Sequence, residues 1–250
     1  MAIRRQRRLG CGWAPVLLAA MLASPAGAVN VVLDFTYDTG NFFAAGSQAR
    51  SALQAAATFF SELLQDNFSS ISKPADFYSS TFNGVAYWDW SLNFSNPSGP
   101  GTITLNNQTI AAGEYRVYAG ARDIVGTALG TGGPGGFQWS SGNNGGFFTQ
   151  AEITQINQIT SSFSNSVTTR GQASGFARWG GSVSFDSVGV IWHFNHTTLP
   201  PAGTNDFYSV ALHELAHALG FGASEEWNSL VSGGIFQGTR AVAEYGAPPP

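Results

Sequence analysis

The sequence predicts an α+β fold, and three observations predict it. A β-branched and apolar run opens the globular part of the chain and leads into a long helix with one apolar stripe. A series of strand-and-turn segments follows, bounded by Gly, Pro and Asn. Near the end comes a helix that is apolar almost all round and carries two histidines and a glutamate. Helices and strands that follow one another in blocks, without strict alternation, point to this class.

The elements follow in order. Val31-Val32-Leu33-Asp34-Phe35-Thr36-Tyr37 reads as the first strand, and Asp38-Thr39-Gly40-Asn41 as a turn. Ser47 is placed to cap a helix running to about Asn67. Ala49, Leu53, Ala56, Ala57, Phe60, Leu63 and Leu64 recur at three and four and so share one face. Strands are expected over Val85–Leu92, Thr102–Ile110 and Glu114–Ala119, separated by Asn-Pro, Gly-Pro-Gly and Ala-Gly breaks. The Tyr87-Trp88-Asp89-Trp90 cluster reads as core. Residues 126–147 are Gly-rich and read as a long surface loop or an ion-bound irregular segment. Ile153, Ile156 and Ile159 suggest a helix over 149–164. Gly180 to Asp186 and Val188 to Phe194 read as two extended pieces joined by a short turn. No internal repeat is evident, so residues 29–250 are expected to form one domain.

Composition restricts the function. Only 10% of the 250 residues are charged, against about a quarter in an average domain. Glycine accounts for 31 residues, and the polar surface must be built from amides and hydroxyls. With 43% hydrophobic residues, seven Trp and nineteen Phe, the chain can bury a large core and is not disordered. Arg4, Arg5, Arg7 and Arg8 precede an apolar run from Trp13 to Ala23, and Ala26-Gly27-Ala28 follows. This is the pattern of a secretory signal peptide over residues 1–28, which makes the protein secreted, and the run is too short for a membrane anchor. Removing it takes four of the 11 basic residues and none of the 15 acidic ones, leaving 7 against 15 and a net charge of −8. Nucleic acid, anionic membranes and stable membrane insertion are therefore not expected. The single cysteine, Cys11, lies in the leader, so the mature chain has no disulfide.

The chemistry concentrates in one segment. All four histidines fall between 193 and 217, and two belong to His213-Glu214-Leu215-Ala216-His217. Residues four apart share a helix face, so both imidazoles can reach one cation, with Glu214 beside the first of them. This H-E-x-x-H pattern suits zinc, with His213 and His217 as ligands and Glu214 as the general base. The surrounding Phe207, Val210, Ala211, Leu212, Leu215, Ala216, Ala218 and Leu219 make a buried helix, and buried His and Glu need partners. An ordinary surface His-Glu-His face would have polar neighbours, and here they are missing.

His213 to Gly222, read as H-E-L-A-H-A-L-G-F-G, resembles the active-site helix of metzincin zinc metalloproteases, nearest to the matrixin-like secreted ones. Gly180-Gly181-Ser182-Val183-Ser184-Phe185-Asp186, followed by Trp192, is similar to the matrixin segment that precedes that helix. The opening strand and Ala-rich helix are loosely similar to the family's N-terminal part. The resemblance implies a zincin-like domain: a twisted mixed sheet, an antiparallel edge strand above the cleft, two long helices, and Gly220 turning the chain after the second ligand. It also implies catalytic Zn2+, a protein or peptide substrate, and an extended substrate lying along an edge strand near 182–190, contacting Ser182, Val183 and Ser184.

The sequence departs from that pattern at three places. Ala223 stands where the third histidine is expected, Met1 and Met21 both lie in the leader so no Met-turn is present, and Ser184 replaces a histidine of the structural-metal segment. A third zinc ligand is expected from Glu225 or Glu226, from His193 or His196, or from chain beyond residue 250, since the sequence ends on Pro248-Pro249-Pro250 as if truncated. Acids are sparse at the Asp38–Asn41 turn and the 131–146 segment, which read as ordinary turn chemistry with bound calcium as the alternative. The overall expectation is a secreted, monomeric zinc metalloendopeptidase. The rivals are a zincin-like binding module without catalysis and a structural surface protein.

Overall fold

A computed structural model describes residues 29–173 and 175–247. Residues 1–28, over which a signal peptide is expected, and the final three prolines lie outside the described residues. The chain begins with strand β1 (Asn30–Asp34) and helix α1 (Gln48–Leu63), followed by β2 (Phe77–Tyr78), β3 (Val85–Ser95), β4 (Thr102–Asn106) and β5 (Glu114–Arg122). Then come β6 (Gly130–Pro134), β7 (Gly136–Asn143), α2 (Gln150–Thr168), β8 (Gly180–Asp186), β9 (Trp192–His193) and β10 (Asn205–Asp206). Helix α3 (Phe207–Ala218) carries the histidines. Helix α4 (Glu225–Ser229), the hairpin β11 (Val231–Ser232) and β12 (Ile235–Phe236), and α5 (Thr239–Tyr245) complete the described chain. The fold is mixed α+β with several sheets. No helix among the described residues is long and apolar enough to cross a membrane.

Two sheets organise the core. The main sheet has the order β1-β5-β8-β6, with β1, β5 and β8 parallel and β6 antiparallel to β8 at the edge. In the second sheet, β3 pairs with β7 along most of its length. On its other side β3 pairs with β2 at its start and β4 at its end. Ala86, Trp88, Trp90, Leu92 and Phe94 alternate along β3 and are all buried, so the aromatic cluster is core, as its spacing implied. Tyr118 of β5 stacks on Phe94 of β3 at 4.1 Å and joins the two sheets.

The helices take their places for local reasons. Ser47 Oγ accepts the Arg50 N–H at 3.2 Å and starts α1, whose buried face is Ala49, Ala52, Leu53, Ala56 and Ala57. Alanine on that face keeps the helix close to the sheet and to α3. The helix ends at Leu63, short of Asn67, because Leu64 adopts an extended backbone and its carbonyl accepts the Val29 N–H at 3.4 Å. Thr149 and Glu152 form a reciprocal capping box on α2. That helix runs on to Thr168, four residues beyond the expectation, because Phe163 and Val167 extend its buried face.

The Gly-rich segment departs from expectation. It is not a loop: β6 and β7 occupy 130–134 and 136–143, and their backbone groups are engaged with β8 and β3. Glycine weakens a strand but admits a close neighbour. A Cβ on Gly132 would lie 2.1 Å from the Glu214 carbonyl oxygen, and one on Gly130 would lie 2.8 Å from Glu214 Cγ. Composition suggested a loop, but the close approach of α3 to β6 is what calls for glycine.

The edge strand is also not where it was expected. Strand β8 lies between β5 and β6, and every one of its seven residues is buried. The edge beside α3 is β6. Of the extended piece expected over 188–194, only Trp192–His193 is a strand, paired with Asn205–Asp206.

Candidate metal centre

Helix α3 is built so that one turn faces outward. Phe207, Ala211, Leu215 and Ala218 are fully buried against α1 and the main sheet, which turns His213 toward solvent and leaves His217 half-buried. Glu214 lies between these faces and is buried, 6% exposed, beneath β6.

The helix terminus fixes the second histidine. Gly220 adopts φ +96°, a left-handed conformation that glycine favours. The Gly220 N–H then donates to the His217 carbonyl at 2.9 Å, and the Phe221 N–H to the Ala216 carbonyl at 3.0 Å. This pair of bonds is a Schellman motif, and it swings the Phe221 carbonyl back over the helix end. His217 Nδ1 meets that carbonyl at 2.7 Å. A carbonyl only accepts, so Nδ1 carries the proton, which leaves Nε2 as the nitrogen available for a lone pair. Tyr115, buried on β5, ties the same helix end to the sheet. Its Oη donates to the Ala218 carbonyl at 2.5 Å, and burial pushes the phenol up so that it remains a donor.

The two imidazoles converge. His217 Nε2 and His213 Nε2 are 3.1 Å apart, with the rings nearly perpendicular at 84°. Two imidazole nitrogens this close suit a shared proton or a shared cation between them. Burial raises the Glu214 carboxyl above its ordinary value, and the His213 and His217 rings oppose that shift more weakly.

The remaining candidate ligands lie elsewhere. Glu226 Oε1 faces Arg178 at 3.5 Å, and Glu225 sits with it in the first turn of α4, which Ser224 caps. His193 Nε2 contacts the Thr198 hydroxyl at 3.1 Å, and the His196 ring stacks on Tyr208 at 5.2 Å. Among the described residues no three His, Cys, Asp or Glu side chains converge. Asp38 Oδ2 accepts the Phe43 N–H at 2.7 Å and so stabilises its own turn.

The strand expected to present the substrate contacts along an edge is interior. Ser182, Val183 and Ser184 are 7%, 1% and 4% exposed in the interior strand β8. Val183 packs under the helices, and Ser184 Oγ donates to the Pro97 carbonyl at 2.7 Å. They do not line an outer edge. The residues missed by sequence reasoning are Gly130, Gly132, Tyr115 and Phe221. Only the alternating glycines carried a sequence signal, because Gly at every second strand position marks a close approach on one face.

Comparison with protein-family models, with curated proteins and with solved structures gives no match.

Proposed function

We propose that the chain is a zinc-dependent hydrolase of the zincin class. More particularly, it is a secreted metalloendopeptidase of the metzincin type. The observation that carries this reading is the pair of Nε2 atoms 3.1 Å apart on α3, one ring anchored through Nδ1, with a buried carboxylate beside them. A backbone acceptor on the second nitrogen is the usual way a protein fixes a metal-ligating imidazole. The residues present fit two of the donors zinc needs, His213 and His217.

When bound, zinc supplies the Lewis acidity that polarises a peptide carbonyl and makes water nucleophilic near neutral pH. Glu214 takes the proton of the attacking water and delivers it to the leaving amine. Its burial strengthens it as a base for that task. The free edge of β6, directly above Glu214, pairs with an extended peptide backbone to backbone. Export is carried by residues 1–28, so the exported chain should begin at Val29.

The test is metal content and cleavage together. Purified mature protein should hold about one zinc per chain by elemental analysis and cleave an unfolded protein substrate, with cleavage lost to a chelator. Glu214→Ala should keep the metal and lose about 100-fold or more of the rate. Nil metal in the wild type, or full activity in Glu214→Ala, overturns the reading. The two-donor set favours one rival, a zincin-like module that binds without catalysis; it predicts weak zinc binding and no chelator-sensitive hydrolysis.

A further inference from the structure

A polar cavity of about 120 Å3 lies on the face of the main sheet turned away from α3, with room for about four waters at ~30 Å3 each. Side chains alternate along a strand. Val183 and Phe185 point to the helices, so Ser182 and Ser184 point into this cavity. On β6 their ladder partners are Gly133 and Thr131, which line the same space. From β5 comes Arg122, whose Nε donates to Ser184 Oγ at 3.3 Å, and Asn96 completes the rim.

This cavity has the chemistry of a carboxylate site. It is lined by hydroxyls and one guanidinium, and none of its lining residues is an acid. Arg122 takes part in none of the ion pairs among the described residues. The nearest acid in register, Asp186, has Oδ1 engaged by the backbone N–H groups of Ile124 and Val188. The guanidinium therefore keeps its terminal nitrogens for a ligand, and a forked donor pair suits a carboxylate.

Gly133 connects the cavity to the edge of the sheet. Its φ is not left-handed, and a Cβ placed on it would meet nothing within 4 Å. Neither backbone strain nor crowding calls for glycine there, in contrast to Gly132 next to it. The missing side chain leaves the mouth of the cavity open at the edge strand.

We propose that this cavity is a subsite for an acidic side chain of a peptide paired along β6, with Arg122 as the specificity-determining residue. The proposal rests on the reading of the chain as a peptide hydrolase. A peptide on that edge sends alternate side chains to the two faces of the sheet. Those sharing a face with Thr131 and Gly133 meet Arg122.

The test uses the full mature protein with zinc and C-terminally amidated peptides that differ only by Glu or Gln at successive positions. Hydrolysis is read as kcat/KM, and binding is read separately by fluorescence anisotropy of labelled peptides. At one position Glu should be favoured over Gln by about tenfold in both readouts. Arg122→Gln should abolish the preference, and Arg122→Lys should restore part of it. Gly133→Val should also abolish it by closing the mouth while keeping the charge. A Gln peptide with a free C-terminus tests a terminal carboxylate as the alternative source; Arg122 dependence confined to that peptide overturns the proposal. Hydrolysis with no Glu preference, or with one indifferent to both Arg122→Gln and Gly133→Val, overturns it while the hydrolase reading stands. Arg122-dependent binding without hydrolysis supports the subsite and overturns the hydrolase reading instead.

Discussion

Gly132→Ala and Gly133→Ala together test the packing of β6 on the helix that carries the candidate ligands. The two glycines are neighbours in one strand, so propensity and exposure of the backbone are closely matched. Their side-chain directions are opposite. A Cβ at 132 would sit 2.1 Å from the Glu214 carbonyl oxygen, 2.8 Å from its carbonyl carbon and 3.0 Å from its Cα. All three are helix backbone atoms, which cannot swing aside, so strand and helix must separate by about 1 Å to restore ordinary contact distances. Overpacking of this kind costs about 1–3 kcal/mol, and a backbone clash belongs at the upper end. For a domain of this size each kcal/mol moves Tm by about 2–4 °C, so Gly132→Ala should melt about 6–12 °C below the wild type. At 133 an added methyl meets nothing within 4 Å. Gly133→Ala should therefore be neutral or more stable by about 0.4–1 kcal/mol, through the reduced entropy of the unfolded chain. Thermal unfolding followed by far-ultraviolet circular dichroism measures both. Equal melting temperatures for the two variants, or a Gly132→Ala protein as stable as the wild type, would refute the close strand–helix contact.

Two further predictions concern the supports of the fold. Tyr115→Phe leaves the buried Ala218 carbonyl without its 2.5 Å donor and should cost about 1–3 kcal/mol, read as a lower urea midpoint at unchanged slope. The Glu152 carboxyl is held down at about 2 by the backbone N–H groups of Thr149 and Ser80, with the Ser79 and Ser80 hydroxyls adding to them. A carboxyl lowered in the folded state stabilises above its unfolded value near 4.5 and loses that contribution as pH falls toward 2. Urea midpoints should therefore drop across that window, and Glu152→Gln should flatten this part of the profile; an unchanged profile would show that the capping carboxylate is not held this way.

Much of the local structure was legible because its causes are local. Ser47 and its apolar stripe mark the start and face of α1, and alternation along β3 separates buried Trp88 and Trp90 from exposed Tyr87 and Asp89. The four-residue spacing of His213 and His217 already puts both rings on one side of a helix. Gly220 announces the helix end, though not that the resulting turn delivers the Phe221 carbonyl to His217 Nδ1. The Gly-rich stretch was misread because glycine is common both in loops and where backbones touch. Only knowing what packs against 130 and 132 distinguishes the two.

The sequence by itself determined the class of the fold, the helix with its imidazole pair, and the low charge that makes these few ionisable groups conspicuous. The tertiary structure decided which strand forms the edge, that Ser182 to Ser184 are interior, that Glu226 faces Arg178 rather than the histidines, and that Arg122 opens into a cavity beside β6. The physical reason is the range of the forces involved. Helix periodicity and capping are settled within a few residues, whereas strand order and close backbone approach join segments dozens of residues apart, and no short window of sequence contains both partners.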